Sequence, residues 1–511
     1  MRIPIKRKNL NLNADSKRVI ARFFRLPDER ILNLVQSILA LGEEEVDDLL
    51  NQILRDFAMR HRSITSIFQS NFKRVQWAVK KIMGDKRISQ EMQLLIGAYF
   101  TNEYSIEAAA FFNPSIVEAP EQSGLEEGQK RVIVSLRATG EGHISSIVFR
   151  YLVIDADNDL HLMPAARRVE VTDVVKDYLY KKDSFVSKLE EMQMPKHIYQ
   201  DVMKRLPERF NYSELMEARS EVLKTLPPAS PYKDEVEKTI WLADSHHELH
   251  FSKDTDLSER VIFPISDFES RGIEDARFVK FTDDDGQVFY FATYCAYNGT
   301  TILPKLIQTR DFYNFKIRPL HGHGAQNKNL ALFPRRIKGK FVMFSRIDGV
   351  NSFLMTSDRI TVWEHPVLFQ RPKHPWEFVQ IGNCGSPIET DKGWLMITHG
   401  VGPMRRYSLG ASLLDLDDPS KEIGRLTHPL LMPNEMEREG YVPNVVYSCG
   451  ALINNGELIV PYAMSDYASS FMTVPVDALI DKILDDTRKD NEKGARKNKR
   501  KKNGKAAGNG Q

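Results

Sequence analysis

Gly339-KFVMFSR-Ile347 reads as a turn glycine, a short apolar strand and a charged side chain at the strand's end. The same unit recurs as Gly128-QKRVIVSLR-Ala138, Gly286-QVFYFATYCAYN-Gly299, Gly393-WLMITH-Gly400 and Gly456-ELIVPYAMSD-Tyr467. The last four copies lie about 50 to 65 residues apart, the spacing expected when one supersecondary unit is reused as the blade of a propeller. Their strands end on Arg137, Tyr297 with Asn298, Arg346, His399 and Asp466. Equivalent positions of successive blades face a central channel, so these side chains are expected to line one funnel suited to an anionic or polyhydroxylated ligand. A glycine turn before an apolar run also marks any hairpin, so ordinary hairpins in unrelated sheets fit the pattern too.

The segments around these units read differently. From Asp28 to about Tyr99 the apolar residues fall at helical spacing, as in Ile31, Leu34, Val35, Ile38 and Leu39, then Val46, Leu49, Leu50, Ile53 and Leu54. The stripes fit packing within the protomer or an oligomer contact. Helical character returns between Val171 and Leu226, closed by Pro227-Pro228-Ala229-Ser230-Pro231. The expected organisation is a helical N-terminal arm (1–102), a first blade (103–168), a helical insertion with a Pro-rich linker (169–231), the remaining blades (232–475), and a short C-terminal helix with a disordered basic tail (476–511). The fold class expected is thus mainly β: a five-bladed β-propeller carrying a helical arm and a helical insertion after its first blade.

The 511 residues carry a formal charge of only +2, which hides an asymmetry. Thr487 to Lys505 holds a dense run of Lys and Arg, read as a solvated tail rather than a nucleic-acid site. Cys295, Cys384 and Cys449 are far apart and show no CxxC spacing. No apolar run reaches transmembrane length, and a cytoplasmic setting is expected. His246, His247 and His250, and the pair His321 and His323, lack the spacing and carboxylate partner of a metal motif, so neither a metal nor an organic cofactor is expected.

Chemistry concentrates at two places. In Gly272-IEDAR-Phe278, alternation along a strand is expected to turn only one of Glu274 and Asp275 into the funnel, with Asp275 pointing away from both Glu274 and Arg277. A carboxyl walled into such a pocket is a candidate general acid with a raised pKa. A strand-edge pair of Glu274 with Arg277 is the structural alternative. The second place is Lys328 with Arg346, two cations that can meet across a hairpin as a phosphate or carboxylate site, with His399 and Tyr407 as further donors.

In FFNPSIV (111–117), SLRATGEGHISSI (135–147), GIEDARF (272–278), KNLALFPRRIKGKFVMFSR (328–346), GWLMITHGVG (393–402), YSLGASLLDLDDPSKEIGRLTHPLLMP (407–433) and EREGYVPNVVYSCG (437–450), the chain resembles glycoside hydrolase family 130, the β-mannoside phosphorylases and related β-mannosidases. The resemblance implies that Asp275 is the catalytic acid. It implies that Lys328, Arg346, His399 and Tyr407 hold phosphate, and that Arg137 and Asp466 bind the mannosyl unit. From their places in the acid motif and at a strand end, Glu274, Arg277, Tyr297 and Asn298 are expected as further substrate contacts. Expected partners are a β-mannosyl oligosaccharide or glycoconjugate and inorganic phosphate as co-substrate, with α-mannose 1-phosphate as product. In such an inverting reaction phosphate replaces the base-activated water, so one carboxylic acid suffices. A β-mannosidase, a mannosyltransferase and a non-catalytic carbohydrate-binding module are the alternatives. Ala276, Ser345 and Ile347 depart from the family's usual residues beside the acid and the arginine, which bears on linkage preference more than on the acid.

Overall fold

A computed structural model describes residues 3–507 except 173, 177, 192, 193, 195, 228, 229, 231, 232, 234, 235, 237–241, 244, 267, 268, 300 and 301. Each of the five glycine-led strands becomes the centre of a different antiparallel sheet. Lys130–Thr139 lies between Ala110–Glu118 and Ser145–Ile154. Val288–Tyr297 lies between Ile273–Thr282 and Ile302–Thr309. Phe341–Ser345 is flanked by Ala331–Leu332 and Ser352–Ser357, and Gly393–Val401 by Gln380–Asn383 and Tyr407–Leu414. Glu457–Met464 pairs with Ala468–Pro475 and Val446–Tyr447. Gly286, Gly339 and Gly456 turn with φ of 78°, 75° and 75°, the left-handed region that glycine enters without steric cost.

The five-bladed propeller expected from the sequence is not what the strand pairing gives. The described strands form seven separate sheets of two to six strands, none of which curls or closes on itself, and the chain is mixed α/β rather than mainly β. The reason is physical: a glycine turn and an apolar run specify a local hairpin, whereas the arrangement of one sheet against the next depends on long-range packing that a repeat spacing does not encode.

The helices have cores of their own. Asp28–Leu39, Glu43–Phe57, Ile64–Met83 and Gln90–Tyr99 close their apolar stripes on one another through Val35, Ile38, Val46, Phe72, Val75 and Leu95. Gly97 lets two of these helices touch, since a Cβ there would lie 1.9 Å from the carbonyl oxygen of Phe68. Farther along, Lys182–Glu191, Lys196–Lys204 and Tyr212–Thr225 pack around Leu189, Val202, Phe210 and Leu215. Asn211 and Glu214 cap the last of these reciprocally, at 3.0 and 2.8 Å. The C-terminal helix runs Val476–Ala507, beyond the short span read from the sequence. Leu479, Ile480 and Ile483 bury its first turns, and Asp485 continues it with pairs to Arg488 and Lys489 at 2.8 and 2.5 Å.

Two contacts tie distant segments together. Lys6–Arg7 adds an edge strand to the last sheet, in register with Thr473 and Met472. Glu107, fully buried, accepts from Arg18 Nε at 2.7 Å and from Arg150 Nη2 at 2.8 and 2.9 Å, joining the start of the arm to the first large sheet. Both guanidiniums are themselves buried, so removing the carboxylate strands two desolvated cations. Glu107→Gln is therefore expected to lower unfolding free energy by about 3 to 5 kcal/mol, read from the midpoint of urea denaturation; a loss below 1 kcal/mol would show that the triad is not a structural anchor.

Candidate active site

Two bulges facing each other build the site. Ile273–Thr282 slips register against Val288–Tyr297 between Glu274 and Arg277, and Ala110–Glu118 slips against Lys130–Thr139 between Phe112 and Ser115. Asp275 and Asn113 occupy these slips with φ of 55° and 50°. A left-handed backbone at a non-glycine residue costs about 1 kcal/mol or more, and here it aims two side chains at each other: Asn113 Nδ2 donates to Asp275 Oδ1 at 2.5 Å.

The expectation that Asp275 points away from Arg277 is overturned: residues two apart share a face of a strand, and the guanidinium lies 3.7 Å from Asp275 Oδ2, while the bulge brings Glu274 into the same cavity. Glu274 does not pair with Arg277. It accepts from Arg137 at 3.1 Å and from Lys328.

The cavity encloses about 270 Å³. Arg137, Glu274, Asp275, Lys328, Arg346, His399, Tyr407 and Asp466 line it, so the ends of four of the five glycine-led strands meet there. Arg277 lies behind Asp275 and is buried. Tyr297 and Asn298 are not among the lining residues, and the Tyr297 hydroxyl donates to the Gly299 carbonyl at 2.7 Å. Sequence reasoning gave no role to Asn113, Gln380, Arg405 and Tyr447, which also line the cavity. Asn113 and Tyr447 stood within quoted motifs, but an Asn in a strand and a Tyr in an apolar run carry no signal of their own.

Electrostatics divide the carboxyls. Burial pushes the Asp275 pKa up, but Arg277, Lys328 and Arg137 outweigh it and the net shift is downward, the reverse of the raised value expected for a walled carboxyl. Asp466 goes the other way: burial dominates and holds its pKa at about 6. Lys328 loses solvation, but Glu274 and Asp275 more than compensate and raise its pKa.

His399 is buried, and burial with Arg346 and Arg277 keeps its pKa well below the usual imidazole value, so the ring is neutral. Its Nδ1 lies 3.1 Å from the Asn383 carbonyl, which accepts only, so the proton sits on Nδ1. Nε2 is then an acceptor, and Arg346 Nη1 donates to it at 3.2 Å. His399 thus aims Arg346 and has no proton left for an anion. Gly382 permits this packing, because a Cβ there would lie 2.6 Å from His399 Cε1. Arg346 itself is buried, its Nε has no partner, and no carboxylate stands within ion-pair distance of it among the described residues. A desolvated guanidinium in that state has hydrogen-bonding capacity and charge that the protein itself does not answer. Among the described residues no group of three or more His, Cys, Asp or Glu side chains is arranged to hold a metal ion.

Residues 230–485, half of the chain, match the family model described as β-1,4-mannooligosaccharide phosphorylase. The chain is 33% identical over 254 residues to a β-1,2-mannobiose phosphorylase of Thermoanaerobacter sp. (strain X514), covering 48% of this chain and 79% of that protein. It is 40% identical over 142 residues to a 1,2-β-oligomannan phosphorylase of the same organism, covering 27% of this chain and 48% of that protein. The matched stretch thus spans about half the length of the latter relative. Among solved structures, the β-1,2-mannobiose phosphorylase of Listeria innocua in complex with β-1,2-mannobiose aligns with 74% of this chain and 93% of its own, at 19% identity and a TM-score of 0.43.

The raised pKa of Asp466 has a sign that can be measured. The folded state holds a proton that the unfolded chain releases near pH 4, so this residue's contribution to stability falls as pH rises from about 4 to about 6. Asp466 is partly exposed, which reduces the effect. Asp466→Asn is expected to be more stable than the parent by about 1 to 2 kcal/mol near pH 7.5 and equal to it near pH 3.5, measured by thermal unfolding at both values.

Proposed function

This chain belongs to glycoside hydrolase family 130, and on that premise we propose that it is a β-mannoside phosphorylase that works by inversion, with phosphate as nucleophile and Asp275 as general acid. The observation that most supports this reading is the buried, carboxylate-free Arg346 in the same cavity as Asp275. A phosphorylase needs a cationic seat for a dianion, which Arg346 offers, while of the two further carboxyls on the cavity Glu274 is engaged by Arg137 and Lys328.

In this reading Lys328, Arg346 and Tyr407 hold phosphate, with His399 fixing the arginine. Arg137 and Asp466 hold the mannosyl unit. A phosphate oxygen attacks C1 from the α face as the glycosidic C–O bond breaks; the bonding pair leaves with the acceptor oxygen, which takes the proton delivered from Asp275. The products are α-mannose 1-phosphate and the free acceptor. Asp275 is ionised in the empty site, because the surrounding cations favour that form. Phosphate binding supplies negative charge beside it, offsets those cations and favours protonation, so the acid is armed when its co-substrate is present. The reverse reaction uses the ionised carboxylate as base, and the same groups then make β-mannosides from α-mannose 1-phosphate.

Incubation with a panel of β-mannosyl disaccharides, with and without phosphate, tests the reading directly. Phosphate-dependent α-mannose 1-phosphate is expected, and free mannose formed regardless of phosphate would overturn it. Asp275→Asn is expected to lower kcat by about 10² to 10⁴-fold with an unchanged unfolding midpoint. Arg346→Ala is expected to raise the KM for phosphate by about 10- to 100-fold and that for the mannoside far less; equal changes in both would remove the phosphate assignment.

A further inference from the structure

Tyr447 sits beneath the cavity, and its hydroxyl oxygen makes three contacts. Arg277 Nη2 donates to it at 2.5 Å and Asn329 Nδ2 at 3.1 Å, while Asp275 Oδ2 lies 3.3 Å away. A phenol oxygen has one proton and two acceptor sites. Arginine has no acceptor and the Asn329 amide nitrogen has none, so both lone pairs are spent and the proton has one direction open to it. It points at Asp275 Oδ2.

We propose that Tyr447 is a positioning residue for Asp275: its hydroxyl, locked by Arg277 and Asn329, donates to Oδ2 while Asn113 holds Oδ1, so that the carboxylate is fixed in place and its ionised form is favoured. This inference rests on the assignment of Asp275 as the acid. In phosphorolysis the carboxyl O–H bond breaks, its electron pair stays on the carboxylate, and the proton passes to the departing acceptor oxygen. In synthesis a carboxylate lone pair takes the proton from the acceptor hydroxyl. Asn113 completes the arrangement from the other strand, with its own Oδ1 unpartnered at the cavity wall.

Of the other charges around Asp275, Arg277 is shared with Tyr447, whereas Arg137 and Lys328 are paired with Glu274. Arg277 shares its strand, and Arg137 and Lys328 face it from the neighbouring sheet and from the segment before Ala331–Leu332. Glu274 and Asp466 are the acids on the same cavity, and Arg346 with neutral His399 closes its other side. A hydrogen bond donated to the ionised form favours that form, so losing it moves the titration of Asp275 upward.

Tyr447→Phe is the test. The alkaline limb of the phosphorolysis pH profile and the acid limb of the synthesis profile are both expected to move up by about one pH unit, because protonated Asp275 serves the first direction and ionised Asp275 the second. A structural role alone would lower kcat and leave both limbs where they were, and that result overturns the inference. Should Tyr447→Phe not fold, Asn329→Ser adds no charge, offers the phenol proton a second acceptor beside Asp275 and is expected to shift the same limbs in the same direction by less. A ¹³C NMR titration of the Asp275 carboxyl, assigned by its disappearance in Asp275→Asn, reads the shift without any substrate. An unmoved carboxyl titration in both variants rejects the role of Tyr447 even where turnover is absent. Absence of phosphorolysis in the parent protein rejects the activity instead.

Discussion

The bulge at Asp275 is the constraint on which the site depends. A regular strand would send Glu274 and Asp275 to opposite faces and leave Asp275 facing only the Arg277 side. One slipped residue with φ of 55° breaks that alternation and collects two carboxylates and the Arg277 guanidinium at one place. Such a cluster stands only because each charge is answered: Glu274 by Arg137 and Lys328, Asp275 by Arg277, Asn113 and Tyr447. Arg277 is the pivot. Burial alone would lower its pKa, yet Tyr447, Cys449 and Asp275 outweigh that loss and raise it, so it stays a fixed positive charge beneath the acid.

Arg346 is the exception to this balance. Arg137, Arg277 and Lys328 each have a carboxylate within 4 Å, whereas Arg346 is held by a neutral imidazole whose own proton is committed to the Asn383 carbonyl. An imidazole in that tautomer orients a guanidinium without neutralising it. The positive charge is therefore left without a counter-charge in a buried setting, which is the feature the proposed phosphate site builds on.

What could be read from the sequence was local. The hairpins announced by Gly286, Gly339 and Gly456 are present because positive φ at a tight turn selects glycine, and the stripe from Val35 to Val46 makes a helical core because its spacing matches the helical period. Arg137, Arg346, His399 and Asp466 arrive in one cavity because each closes a comparable strand. The disposition of the sheets was not legible, since hairpin spacing carries no information about how separate sheets stand against each other. Nor was the bulge, which rests on pairing between strands distant in sequence, or Tyr447, whose neighbours Val445, Val446 and Cys449 look like ordinary core. Tyr297 shows the limit of the pattern: it ends a comparable strand, yet its hydroxyl turns back to the Gly299 carbonyl.

The edge strand Lys6–Arg7 has a consequence for the order in which the molecule assembles. It pairs with Thr473 and Met472, so the sheet that carries Tyr447 and Asp466 is completed by the first few residues of the chain. Contacts that join such distant positions form late, after loop closure has been met by other interactions, and during synthesis the N-terminal partner emerges long before the strand it must join. The helical arm and the first large sheet can therefore mature on the ribosome while the cavity still lacks one wall. The pairing of Lys6–Arg7 then seals the outer edge of that sheet, opposite the edge that carries Tyr447.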